Sequence, residues 1–320
     1  MTLPAAPVGT AGLPAVPHGR TAVRLAWRFL PREVRDLVEQ HVGGPVVEAV
    51  SRDSGFTPGF ASVVTAESGH RAFVKAASRA AQPEIAASYA EEARKLRVLG
   101  DSIPAPRLEW VCDDDAWVVL GIEAVDARQP RRPWRPAELE RALDLAEEIA
   151  DATREVPAEL DLKPIQEDIP PIITGWDAVP ATWPHHAEAA SLARSIAALP
   201  EADRFVHCDL RDDNILFAED GRTLACDWNW PTLGPVWIDL LMLLVSAHGD
   251  GLDVEPLLAS RELAANAEPD HVDAVLAGLC GFMLSSRGKP APASSPYLRA
   301  HANWYAEAAW SWLAQRRGWT

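Results

Sequence analysis

The segment His207-Cys208-Asp209-Leu210-Arg211-Asp212-Asp213-Asn214, followed later by Asp227, restricts the fold of this chain more than any other. It sets a His-x-Asp-x-x-x-x-Asn spacing just ahead of two strand-like runs, Ile215-Leu216-Phe217 and Thr223-Leu224-Ala225-Cys226, around Glu219-Asp220-Gly221. Asp-Gly is a preferred two-residue hairpin loop, because both positions take positive φ. With that loop, Glu219 faces Arg222, Phe217 faces Leu224 and Asn214 faces Asp227. The hairpin then brings an amide oxygen and a carboxylate to one end, beside the acid of the His-x-Asp pair. Hard oxygen donors of that kind suit Mg²⁺. A surface hairpin with solvated polar ends is the plain alternative, and the abutting His-x-Asp argues against it.

As chemistry, the constellation fits phosphoryl transfer: Asp209 takes the proton of an attacking hydroxyl, while Asn214 and Asp227 hold metal ions that neutralise the moving phosphate. His248-Gly249-Asp250 repeats the His-x-Asp spacing, but the position five after that Asp is Glu255 and no hairpin follows. His248 reads as a helix-end or loop residue.

The 320 residues are enough for a substantial core in two lobes. Lys plus Arg total 30 against 46 Asp plus Glu, a net charge of −16. Such a surface repels nucleic acid and anionic lipid. It favours a cationic partner, or serves only solubility. Cys112, Cys208, Cys226 and Cys280 have no paired zinc spacing and read as free thiols of a reducing, cytoplasmic setting. The first residues, with Pro4, Pro7, Pro14 and Pro17, read as a flexible tail over 1–21 rather than a signal peptide. The strongest apolar run, 237–245, is short and contains Asp239, so no segment is expected to span a bilayer.

Along the chain the pattern predicts a helix over 31–42, then strands over 46–50, 60–65 and 72–76. Between the first two strands lies Ser54-Gly55-Phe56-Thr57-Pro58-Gly59, a loop whose glycines let backbone N–H groups approach a phosphate or simply turn a hairpin. A helix over 83–99 places Ile85, Tyr89, Leu96 and Leu99 on one face, and Glu92 falls on the same face. Lys75 is equally out of place in the apolar strand Ala72-Phe73-Val74-Lys75-Ala76. A buried carboxylate needs a partner, so each anomaly explains the other; the bland reading has Lys75 snorkelling to water. Strands over 107–112 and 116–121 complete a sheet, and Glu123 opens the crossing to a second lobe. Helices follow over 137–155, 185–199, 236–248, 271–285 and 297–315, with a proline-rich stretch over 157–182 read as a long functional or mobile loop.

This order of elements resembles the aminoglycoside phosphotransferase and choline kinase-like family. The likeness runs from Val46 onward and includes Ile103-Pro104-Ala105-Pro106, Cys226-Asp227-Trp228, Gly234-Pro235 and Asp239-Leu240. The protein-kinase elements Asp-Phe-Gly and Ala-Pro-Glu are not found in the sequence. The resemblance implies an α+β, bilobal protein-kinase-like fold: a nucleotide-binding lobe over 22–123, with an antiparallel sheet and a helix, and a mainly helical lobe over 124–320. It implies ATP and Mg²⁺ as cofactors, Asp209 as base, and Asn214 and Asp227 as metal ligands. Lys75 and Glu92 would orient the ATP phosphates, with Ser54, Gly55, Gly59 and Glu123 also on the nucleotide side. His207 would buttress the loop and Asp239 brace it. Cys208 departs from the family, which usually has glycine there. Arg211 either meets developing phosphate charge or pairs with Asp212 or Asp213.

The implied reaction is ATP-dependent phosphorylation of a small-molecule hydroxyl. Trp304, Trp310 and Trp312, with Asp250, Asp253, Glu255 and Glu307 near them in sequence, point toward an aminoglycoside or related cationic natural product. A metabolic alcohol (choline, an amino alcohol, a sugar, a nucleoside) fits the same motifs, and a nucleotide-binding pseudokinase is the reading from a different class.

Overall fold

Alternation along the N-terminal strands divides their side chains between two cores, and that division positions the site. The computed structural model describes residues 13, 15–17, 21–200 and 203–319. Strands β1 (Val46–Ser51), β2 (Phe60–Ala66), β3 (Arg71–Ser78), β4 (Leu108–Asp113) and β5 (Trp117–Glu123) form one antiparallel sheet in the order β1-β2-β3-β5-β4. Ala72, Val74 and Ala76 of β3 and Val119 of β5 join a small core with Val34 and Val38 of helix α1 (Arg32–His41). The alternate residues, Ala77 with Val118, Leu120 and Ile122, fall on the other face under helix α2 (Pro83–Leu99) and continue into the main core. Lys75 shares that second face, paired in register with Ala61 and Leu120. Helix α2 begins with Pro83, whose missing N–H costs nothing in the first turn, and stops at Gly100, at φ 55.

Beyond the crossing the chain is mainly helical. Strand β6 (Ala127–Arg128) leads to α3 (Pro136–Ala152), short α4 (Ile165–Asp168) and α5 (Pro171–Thr174), and α6 (His186–Ser195). Strands β7 (Arg204–Val206), β8 (Ile215–Ala218), β9 (Thr223–Ala225) and β10 (Thr232–Gly234) make two small sheets, β6-β8-β9 and β7-β10. Helices α7 (Ile238–Gly249), α8 (Glu255–Ala259), α9 (Pro269–Leu284) and α10 (Leu298–Arg317) finish the fold, with α9 buried along most of its length between α6 and α10.

The structure corrects two expectations and adds one element. The 157–182 stretch is not a loose loop but a set of short helical turns that bury Leu160, Ile165, Ile172 and Trp176. Its prolines break the periodicity that would have announced them. Trp176 donates to Ala277 O at 2.8 Å, and a Cβ on Gly281 would lie 2.5 Å from its ring, so the glycine lets the indole reach α9. The hairpin loop has three residues, Glu219 to Gly221, with Gly221 N–H bonded to Ala218 O and only Gly221 at positive φ. The register therefore moves by one: Ile215 faces Ala225, Phe217 faces Thr223, and Cys226 N–H bonds to Asn214 O. Lastly, α8 carried no recognisable sequence signal. The expected tail lies largely outside the described residues; of the described part, Leu13 N–H bonds to Gly249 O.

Candidate active site

Asp239, in the first turn of α7, receives the N–H groups of His207 at 2.8 Å and Cys208 at 2.9 Å. Those two bonds fix the loop on the helix. Cys208 takes φ 63, a left-handed conformation in which a Cβ is crowded. This is the physical reason for a glycine preference at that point. The buried His207 ring stands edge-on to Trp228, 4.7 Å between centroids, and its Nδ1 lies 3.3 Å from the N–H of Asp209. Asn214 Nδ2 donates to both the carbonyl (2.8 Å) and the carboxylate (2.9 Å) of Asp209, holding the acid in place. Arg211 Nε sits 3.2 Å from the other carboxylate oxygen, and its Nη2 bonds to Asp213 at 3.1 Å. Burial pushes the Asp209 carboxyl up to about 7, against the pull of Arg211. An acid with that value accepts and returns a proton near neutrality.

The one-residue register shift leaves Asp227 just past the last hairpin pair, at φ 65, and on the same cleft as Asn214. Lys75 Nζ bonds to both oxygens of Glu92 at 2.8 Å and to Asp227 Oδ1 at 2.5 Å. Lys75 is 7% exposed and Glu92 1%, so the lysine does not reach for water. Burial alone would discharge the ammonium, but the carboxylates of Asp227 and Glu92 outweigh it and keep it charged. Burial likewise pushes Asp227 up, and Lys75, by charge and hydrogen bond, holds it below the usual carboxylate range. An ionised carboxylate beside an amide oxygen is a hard donor set of the type that takes Mg²⁺.

These groups line a cleft of about 380 Å³ between the sheet and the hairpin. Its far wall is apolar, from Phe73, Leu96, Ile122 and Leu216. Ser54 lines it too, its Oγ accepting from Gln129 Nε2 at 3.0 Å. Gly55, at φ 103, borders a smaller neighbouring recess. Gly59 packs instead: a Cβ there would lie 2.4 Å from Tyr89 Oη. Glu123 lines the cleft, but its carboxylate is held by Arg222 at 2.9 Å and Arg107 at 3.4 Å.

A model of the phosphotransferase enzyme family matches residues 53–275, more than half of the chain. The chain belongs to that family. Among solved structures, the AMP-bound spectinomycin phosphotransferase aligns over 86% of this chain and 93% of its own, at 15% identity and a TM-score of 0.58. A thermostable mutant of an aminoglycoside phosphotransferase, in ternary complex with AMP-PNP and hygromycin B, aligns over 90% and 97%, at 14% identity and a TM-score of 0.57. A macrolide 2′-phosphotransferase of type I aligns over 84% and 94%, at 17% identity and a TM-score of 0.52. At such identities the likeness establishes the bilobal kinase-like fold and nothing finer. No curated protein matches the chain by sequence.

Family motifs did not reveal every residue that lines this cleft. Arg24 lines the cleft and donates to the carbonyls of Thr57 (2.5 Å) and Gly59 (3.1 Å), while Thr21 Oγ1 donates to Gly55 O at 2.6 Å. Both precede the matched segment, in a stretch without periodicity, so no sequence signal marked them. Across the loop that carries Asp209 lies a second cavity, of about 360 Å³, onto which Asp209, Arg211 and Tyr305 open. The C-terminal residues singled out in the sequence do not line it. Trp304 and Trp312 are core residues, and Trp310 belongs to an aromatic cluster with Trp176 and Trp183. Asp250 is bound to Arg132 and Glu255 to Arg316. Asp253 and Glu307 lie off the cavity lining as well.

Proposed function

We propose that this phosphotransferase moves the γ-phosphoryl group of ATP to a hydroxyl of a small molecule, with Mg²⁺. One observation carries the reading: the same loop presents Asp209 to one cavity and Asn214, with Asp227 beside it, to the other. Asp209 takes the hydroxyl proton, and Asn214 keeps that carboxylate aimed. Lys75, held by Glu92, presents its ammonium to the phosphates, and Arg211 supplies positive charge beside the base. Mg²⁺ bound by Asn214 and Asp227 neutralises phosphate charge when present. The apolar wall of the cleft suits the flat face of a base, and the AMP and AMP-PNP complexes of structurally similar enzymes support a nucleotide there. Among the described residues no helix is long and apolar enough to cross a membrane. We place the enzyme with the cytoplasmic ATP pool.

The test is a panel of hydroxylated compounds incubated with ATP and Mg²⁺, read by ADP release and by the mass of the product. Acceptor-dependent ADP with a phosphate gained by the acceptor is expected. Tight nucleotide binding with no ADP from any acceptor, and none from water, points instead to an inactive nucleotide-binding module.

A further inference from the structure

We propose that the acceptor is a predominantly apolar alcohol carrying at most one positive charge, seated in the cavity beside Asp209. The inference rests on the phosphotransferase reading of that residue. The cavity is walled by α5, α7, α9 and the catalytic loop, and its lining is hydrocarbon: Ile169, Ile172, Val245, Leu279, Phe282 and Met283. Its size falls within the range of small-molecule pockets.

The polar groups on it are few and mostly engaged. Tyr305 Oη donates to Asp212 at 3.3 Å. Asp209 is held by Asn214 and flanked by Arg211. The other carboxylate is Asp168, exposed at the rim. Two carboxylates set against one guanidinium leave room for a single cation. A molecule with several ammonium groups would bring the rest against hydrocarbon, where unpaired charge is strongly disfavoured, and against Arg211. The acidity of the chain does not help, because nearby acids are already paired: Asp212 and Asp250 with Arg132, Asp213 with Arg211. Trp230, 53% exposed, borders the same cavity and offers an aromatic face to an apolar ligand.

In the reaction the acceptor O–H bond breaks and its proton passes to the Asp209 carboxylate. An O–P bond forms to the γ-phosphorus as the bond from that phosphorus to the β–γ bridging oxygen breaks, leaving ADP.

Calorimetry on the full chain with MgADP would compare 1-decanol, a neutral apolar alcohol, with hygromycin B, a cationic one. Decanol should bind at least about tenfold tighter, the scale of burying one or two large apolar groups. Met283→Glu should erase that preference. Trp230→Ala, at an exposed position that tolerates truncation, should weaken decanol and leave hygromycin B unchanged. Tighter binding of hygromycin B, or decanol binding indifferent to both substitutions, overturns the inference. Replacing ADP by ATP then separates the two levels of the argument. Transfer to hygromycin B but not to bound decanol overturns the apolar acceptor, whereas bound decanol with no ADP released from any compound of the acceptor panel, or from water, removes the phosphotransferase reading and keeps the apolar cavity.

Discussion

Cys208 and Asp227 hold left-handed backbone without being glycine, at φ 63 and φ 65, on either side of Asp209. Strain of that kind persists where surrounding bonds over-determine it, here the two N–H bonds to Asp239 and the ion pair to Lys75. Asp209 is the residue those constraints aim. Asp209→Ala should lower kcat at least ~10²-fold while ATP affinity, measured by titration, hardly changes. Near-normal turnover would take Asp209 out of the mechanism. With its carboxyl at about 7, kcat/KM should rise with pH through an acid limb at or below that value, since Mg²⁺, were it held by Asn214 and Asp227, would pull it lower. His207 gives a separate test. Burial drops its pKa from 6.5 to about 4. The unfolded chain therefore takes up a proton near 6.5 that the folded chain refuses until about 4. Stability from this residue is present above that window and lost as pH falls through it, by up to about 3 kcal/mol. Denaturant midpoints at pH 7 and 4.5 should converge in His207→Gln; parallel losses in both proteins would assign the acid sensitivity elsewhere.

Among the elements, α2 was legible to the residue and β3 (Arg71–Ser78) to within two residues at either end, because period-3.6 and period-two patterns each carried one charged residue that broke them, Glu92 and Lys75. Their pairing in the structure makes them a unit across the two elements. Glu92→Gln should raise KM for ATP and lower kcat, Lys75→Ala should do more, and the double variant should be little worse than Lys75→Ala alone. Additive losses would show that the residues act independently. The hairpin was legible in existence but not in register: an Asp-Gly pair signals a two-residue loop, and here one more residue enters it, leaving only Gly221 at positive φ. The 157–182 turns were hidden for the opposite reason, since four-residue helices between prolines are too short to show a period. They are nonetheless welded to α9 by close contact. Gly281→Ala should force Trp176 or α9 to shift and cost about 1–3 kcal/mol, read as a lower urea midpoint at unchanged slope.

Across the whole molecule the motifs named residues that the structure gathers around one cleft and missed what surrounds them. Every family landmark sits inside the matched segment, while Thr21 and Arg24, which precede it, tie down the carbonyls of the glycine loop. Such contacts depend on where the chain happens to lie and leave no periodic trace. Arg24→Ala should free that loop and raise KM for ATP severalfold with kcat little changed; an unchanged KM would show the tether to be idle. The cavity beside Asp209 was missed for a related reason. Its walls come from six separate stretches, and acids adjacent in sequence were committed to arginines elsewhere in space. The loop carrying Asp209 is the partition between two pockets, each large enough for one ligand. A bivalent compound, an adenosine phosphate joined to a fatty alcohol by a short linker crossing that partition, would occupy both at once. Each half would then meet its pocket at the high effective concentration imposed by the other, so two weak ligands in one chain become a tight inhibitor without any new contact.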